Sequence, residues 1–95
     1  MKCPTVYIVA SCRNGTLYVG VTSALARRVT DHKENSVDGF TKRYSIHALV
    51  WYESHQTMEG AINREKQIKK WNRPWKLELI ESLNPDWKDL SDELI

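Results

Sequence analysis

The sequence predicts an α+β domain, a three-stranded, mostly antiparallel sheet flanked by helices in the order ββαβαα. Three observations lead there. Residues 4–12 are rich in β-formers on both faces, as a central strand requires. Asn14-Gly15 follows directly, the strongest short-range hairpin signal. Two later stretches open on helix-start residues, Thr57 as a cap and Pro74 in a first turn.

The first strand runs over residues 4–12, and Leu17-Tyr18-Val19-Gly20 returns beside it. Ser23 is placed to cap a helix over about 24–34. Residues 35–45, with Asn35, Ser36, Asp38 and Gly39, read as loop. Ile46–Ser54 is the third strand. The second helix spans about 58–71 and the third about 74–83, ended by Asn84-Pro85. Residues 84–95 form an acidic tail, with one short turn docked by Trp87. With no repeat, linker or low-complexity tract, residues 1–95 read as one domain.

Hydrophobic residues at 41% and charged residues at 27% place the chain among globular proteins rather than disordered ones. The amino terminus reads straight into a strand, with no secretory signal pattern. No stretch approaches the roughly 18 apolar residues of a membrane span. A cytoplasmic protein without membrane association is expected. Cys3 and Cys12 lie along one strand, too far apart to bridge, and read as reduced thiols.

The net charge of +2 is unevenly spread. Residues 62–76 carry Arg64, Lys66, Lys69, Lys70, Arg73 and Lys76 against Glu65, a local +5. Residues 77–95 carry a local −5. Such a basic segment points to an anionic partner, or to a solvated helix face shielded by its own tail. Charge by itself leaves both open.

Three local patterns carry candidate chemistry. With Asn14 and Gly15 as the only turn residues, Ser11 pairs with Tyr18, so Tyr7 and Tyr18 share a face of the sheet. They then stand on the order of 13 Å apart by Cα rise, and their rings must lean together to share one substrate. A three-residue turn would put them on opposite faces, and either arrangement is compatible with simple packing. Glu65 falls near the middle of the apolar stripe Met58, Ala61, Ile62 and Ile68. A carboxylate there needs an arginine partner or a metal ion. Mg²⁺ uses one or two carboxylates and fills its octahedron with water and phosphate oxygens, so a lone glutamate suffices. Arg28 and His32 are four apart, hence neighbours on one helix face. They read as an exposed pair, or as a guanidinium that forks phosphate oxygens beside an imidazole that moves a proton. His47 and His55 have no partner spacing and read as structural. Trp51, Trp71, Trp75 and Trp87 are many for this length; most belong in the core, and exposed ones could stack on bases.

Together these residues resemble the GIY-YIG nuclease family. Thr5-Val6-Tyr7 stands where that family has Gly-Ile-Tyr, and Tyr18-Val19-Gly20 where it has Tyr-Ile-Gly. Arg28-Val29-Thr30-Asp31-His32 is similar to its Arg-x-x-x-His, and Arg64-Glu65-Lys66 to the later helix with its metal-binding glutamate. Gly39–Tyr44, Leu49–Glu53 and Asn84–Leu90 resemble the short stand-alone bacterial subgroup. The first motif departs from the pattern, with Thr5 in place of glycine.

The resemblance implies a divalent-metal-dependent endonuclease that acts on DNA in preference to RNA, nicking or selecting by structure, in a repair or recombination setting. It implies that Tyr7 takes or orients the proton of the attacking water and that Tyr18 positions water or phosphate. Arg28 would stabilise phosphate charge, His32 would assist proton transfer, and Glu65 would hold one Mg²⁺ or Mn²⁺. Asn84 or Lys66 would support the site. Nucleic-acid binding would rest on Arg64, Lys66, Lys69, Lys70 and Arg73, together with Lys42 and Arg43. A monomer or weak homodimer is expected. The alternative is a module of the same fold that binds nucleic acid without cutting it.

Overall fold

The computed structural model describes residues 3–34 and 48–94. Strands β1 (Thr5–Ala10), β2 (Leu17–Thr22) and β3 (Ala48–Ser54) form one antiparallel sheet in the order β2-β1-β3. The helices are α1 (Leu25–Lys33), α2 (Met58–Lys69) and α3 (Arg73–Leu83), and a 3₁₀ turn over Leu90–Leu94 closes the tail. The expected loop at 35–45, together with Ile46, His47, Lys42 and Arg43, lies outside the described residues.

β1 is central because all six of its side chains are apolar enough to be buried, and all six are. Its two faces build two cores. Val6, Ile8 and Ala10 pack with Val19, Val50 and Trp51 under Ala61 and Ile68 of α2 and Ile80 of α3. Tyr7 and Val9 pack with Leu49 under Val29 of α1 and Leu90 of the tail.

The hairpin differs from the two-residue expectation. Ser11 and Thr16 close it, with Ser11 N–H donating to the Thr16 carbonyl at 3.1 Å and Thr16 N–H to Ser11 Oγ at 3.0 Å. Four residues, Cys12 to Gly15, make the loop. Gly15 N–H donates to the Cys12 carbonyl at 2.9 Å, and Asn14 takes the left-handed φ of 59°. The register is therefore Val9↔Tyr18 and Tyr7↔Gly20. Lengthening the loop by two residues preserves facing parity but moves Tyr18 two residues closer to Tyr7 than the expected pairing. Cys3 and Cys12 are free and exposed, flanking β1 rather than lying within it.

The helix caps follow local chemistry. Thr57 Oγ1 accepts from Gly60 N–H at 3.0 Å, and Asn72 Oδ1 from Trp75 N–H at 3.1 Å. α1 is the exception to expectation. Its N-cap is Ala24, without a side-chain cap, and Thr22 Oγ1 rather than Ser23 takes the Ala24 N–H at 3.1 Å.

The acidic tail is a structural part of the sheet face that carries the tyrosines. A bulge between Ile8 and Val9 pairings skips Val50, whose carbonyl accepts from Asn84 Nδ2 at 3.1 Å. Asn84 also donates to the Lys88 carbonyl and accepts from Lys88 N–H, so its side chain ties β3 to the tail. Asp89 ties three elements: Lys33 of α1, the Leu49 N–H of β3 and the Ser91 N–H. Tyr52 donates to Glu93, and burial with that carboxylate raises the phenol above its usual range.

Burial works to raise the Asp89 carboxyl, but the hydrogen bonds from Lys33, Ser91 and Leu49 outweigh it and hold it below the usual carboxylate range. A folded value below the unfolded one means stability that is present above about pH 4 and lost as pH falls through the folded value. The Leu49 and Ser91 amide resonances should therefore titrate together below about pH 4. In Asp89→Asn that shared step should vanish; its persistence would assign the titration to another carboxylate.

Candidate active site

The closed register brings Tyr7, Tyr18 and His32 into one cluster. Ring centroids are 6.4 Å apart for the two tyrosines, 5.7 Å for Tyr7 and His32, and 5.5 Å for Tyr18 and His32. The Tyr7 hydroxyl and His32 Nε2 share a buried hydrogen bond of 3.1 Å. Tyr7 is 2% exposed and His32 1%, whereas Tyr18 is half-buried and also borders a depression at the β2 edge.

Gly20 makes this possible. It lies directly across from Tyr7, and a Cβ built on it would stand 2.5 Å from the Tyr7 hydroxyl oxygen. The phenol therefore lies across the bare backbone of the edge strand and carries its oxygen to the rim of the sheet. Glycine is required by close approach here, not by φ.

α1 supplies the other side. Arg28 sits one turn before His32 on the same flank and is exposed. Ala26, Thr30 and Lys33 line the other flank, with Ser91, Asp92 and Leu94 of the tail against them. The tail thus braces the back of the helix whose front carries Arg28 and His32.

Glu65 comes from the layer on the other face of the sheet, on the flank of α2 nearer β2. Its side chain is 15% exposed, and Oε2 pairs with Lys69 Nζ at 3.3 Å. Lys69 borders a depression shared with Leu17, Tyr18, Val19 and Lys76 at the β2 edge. The carboxylate is therefore neither turned to bulk water nor paired with an arginine, and the cation beside it opens toward Tyr18. Among the described residues no group of three or more His, Cys, Asp or Glu side chains could hold a metal ion. A lone carboxylate whose pairing is an i,i+4 lysine, worth about 0.2–0.5 kcal/mol, remains open to a divalent cation that takes its other oxygens from water and phosphate.

The basic residues divide. Arg64 faces the β3 edge, where Nε donates to Glu53 Oε1 at 3.1 Å, Nη1 to Gln67 Oε1 at 2.8 Å, and the guanidinium lies 5.3 Å from the Trp71 ring centroid. His55 joins the same carboxylate at 2.8 Å. Arg64 thus holds α2 to β3, across the sheet from the tyrosines. Lys66 and Lys70 are exposed on α2 and its cap. Arg73 Nη2 donates to the Asn14 and Gly15 carbonyls, clipping the hairpin loop to α3. Lys76, outside the expected set, reaches both depressions along β2. The charge count of 62–76 contained it, but only the packing of α3 against the hairpin singles it out. Trp51 and Trp87 are core, while Trp75 is 56% exposed.

A family model described as the GIY-YIG catalytic domain matches residues 3–78. The chain belongs to the GIY-YIG family. It is similar to the UPF0213 protein of Staphylococcus aureus strain Mu3, 40% identical over 76 residues that span 79% of this chain and 90% of the relative. The UPF0213 protein of Staphylococcus saprophyticus is 35% identical over 75 residues, with the same coverage. Among solved structures, the solution NMR structure of a UPF0213 protein of Bacillus halodurans matches with a TM-score of 0.55 at 25% identity, covering 90% of each chain. Membership places the domain among nuclease domains. The matched GIY-YIG stretch ends at residue 78, so the tail that braces α1 lies beyond it. No helix of the described residues is long and apolar enough to cross a membrane.

Proposed function

We propose that this GIY-YIG domain is a divalent-metal-dependent endonuclease that hydrolyses DNA phosphodiester bonds, one nick per site. The observation that supports it most is the Tyr7–Tyr18–His32 cluster, with Arg28 one helical turn away at the rim. Two phenols packed on an imidazole, with an exposed guanidinium one turn back along α1, suit attack of water on a phosphodiester.

Tyr18, the more exposed of the two phenols, orients the phosphate or the attacking water. The Tyr7 oxygen accepts a proton from that water as the new O–P bond forms, and its own proton passes to His32 Nε2. This relay spares Tyr7 from ionising beforehand, which a free phenol near pKa 10 does poorly at neutral pH. Arg28 donates to the equatorial oxygens as negative charge grows there. The ester P–O bond breaks opposite the attacking oxygen, and solvent protonates the departing oxygen. Glu65 is the carboxylate that would hold Mg²⁺ or Mn²⁺. When bound, the ion would polarise the phosphodiester and favour departure of the leaving oxygen.

The test is cleavage of labelled duplex, nicked, flapped and branched DNA and of RNA, with Mg²⁺, Mn²⁺ or EDTA. Nicked DNA products are expected with either metal and not with EDTA. Arg28→Ala should slow cutting about 10²- to 10³-fold, the scale of one lost charge-stabilising donor, and Glu65→Ala should abolish it. Salt-sensitive binding without cutting of any substrate would replace this reading with a binding module.

A further inference from the structure

We infer that the outer edge of β2 is a track for the nucleic-acid strand leading away from the reacting phosphodiester, with Lys69 and Lys76 forming a phosphate subsite beside Tyr18. The inference takes its occupant from the nuclease reading above and its location from geometry. β2 is an edge strand of the sheet. Lys69, near the end of α2, and Lys76, from α3, both border the depression at Leu17, Tyr18 and Val19. A second depression begins where the first ends. It shares Leu17 and Lys76 and continues along Thr16, Gly15 and Asn14 to Arg73. Lys69, Lys76 and Arg73 thus form a cationic row running from Tyr18 to the hairpin tip.

The row is cationic, and among the described residues its lining side chains include no carboxylate. Glu65 pairs with Lys69 from one turn back along α2. Arg73 spends Nη2 on two loop carbonyls, which fixes its plane and leaves Nε–H and the Nη1 hydrogens outside that clip. A polyanion continuous with a phosphodiester at Tyr18 matches this row in charge and in direction. Arg64, equally basic in sequence, is turned to the opposite edge by Glu53. Lys66 and Lys70 lie outside both depressions.

The test measures binding apart from cutting. A fluorescein-labelled single-stranded DNA and the matching duplex are titrated by anisotropy in EDTA, across a salt series. Lys69→Gln/Lys76→Gln should weaken binding about tenfold and lower the log–log salt slope by about 1.4–1.8, two phosphate contacts' worth. Lys66→Gln/Lys70→Gln removes the same charge from the same segment and should cost far less. Equal losses from the two pairs would overturn the track in favour of a diffuse basic surface. Loss traced to a salt-sensitive dimer of the wild-type chain, seen by sedimentation, would also overturn it and assign the row to the acidic tail of a second copy. Because no cleavage enters the assay, the row stands or falls on it even where the cleavage panel fails.

Discussion

Gly20→Ala is expected to lower DNA cleavage by at least 10²-fold in a protein that still folds. The added Cβ would lie 2.5 Å from the Tyr7 hydroxyl oxygen and 2.6 Å from the ring carbon bearing it. Contacts that short cannot persist. The neighbour that must move is the far end of Tyr7, and that end holds the hydrogen bond to His32. Tyr7 is buried among Val9, Val29, Leu49 and Leu90, so the ring cannot swing freely. Overpacking of this kind costs about 1–3 kcal/mol in stability, which is survivable for many domains. The geometric damage is concentrated where proton transfer would occur, and a shift of about 1 Å there can cost 10²-fold. Thermal melting and cleavage rate measured on the same variant separate the two effects. Near wild-type cleavage would mean that the Tyr7 oxygen has no part in the reaction.

The second large effect is non-additivity between Tyr7 and His32. Tyr7→Phe removes the hydroxyl but keeps the ring that fills the core. His32→Phe removes the proton acceptor and keeps a buried aromatic. Each should slow single-turnover cleavage by about 10²- to 10⁴-fold, the range of a lost acid–base group. The double variant should be hardly slower than either single one, because both steps of one relay are already broken. Multiplying losses would instead give the two residues separate tasks.

Much of this architecture was legible from local chemistry. β-formers on both faces of residues 4–12 announce a central strand, which the structure shortens to Thr5–Ala10, and Thr57 and the first-turn Pro74 mark two helix starts. The hairpin was legible only in parity. Asn14-Gly15 suggested a two-residue turn, but Ser11 competes for Thr16 through its side chain, and a four-residue loop results. That substitution of one loop for another decides whether Tyr7 and Tyr18 touch. The stripe argument placed Glu65 toward the core, and it is indeed mostly covered. Its pairing with Lys69 follows from the i,i+4 spacing, but the approach of Lys69 to Tyr18 depends on how α2 crosses β2, which periodicity does not encode. Arg64 and Glu65 are adjacent in sequence yet point to opposite sheet edges, because neighbours on a helix are 100° apart. The role of the tail was hidden for a different reason. Its acidity suggested a shield for the basic helix, whereas Leu90, Asp89 and Asn84 use it as a brace for α1 and β3.

The central claim is that Glu65 serves the same phosphodiester as the two phenols, from across the β2 edge. The most direct measurement is an NMR titration of the wild-type chain with Mn²⁺, reading paramagnetic broadening of amide resonances. The account predicts that broadening is strongest at Glu65 and next at Gly20, Tyr18 and Lys69, and that Glu65→Gln removes it. Broadening confined to Asp86, Asp92 and Glu93, with β2 untouched, would contradict it.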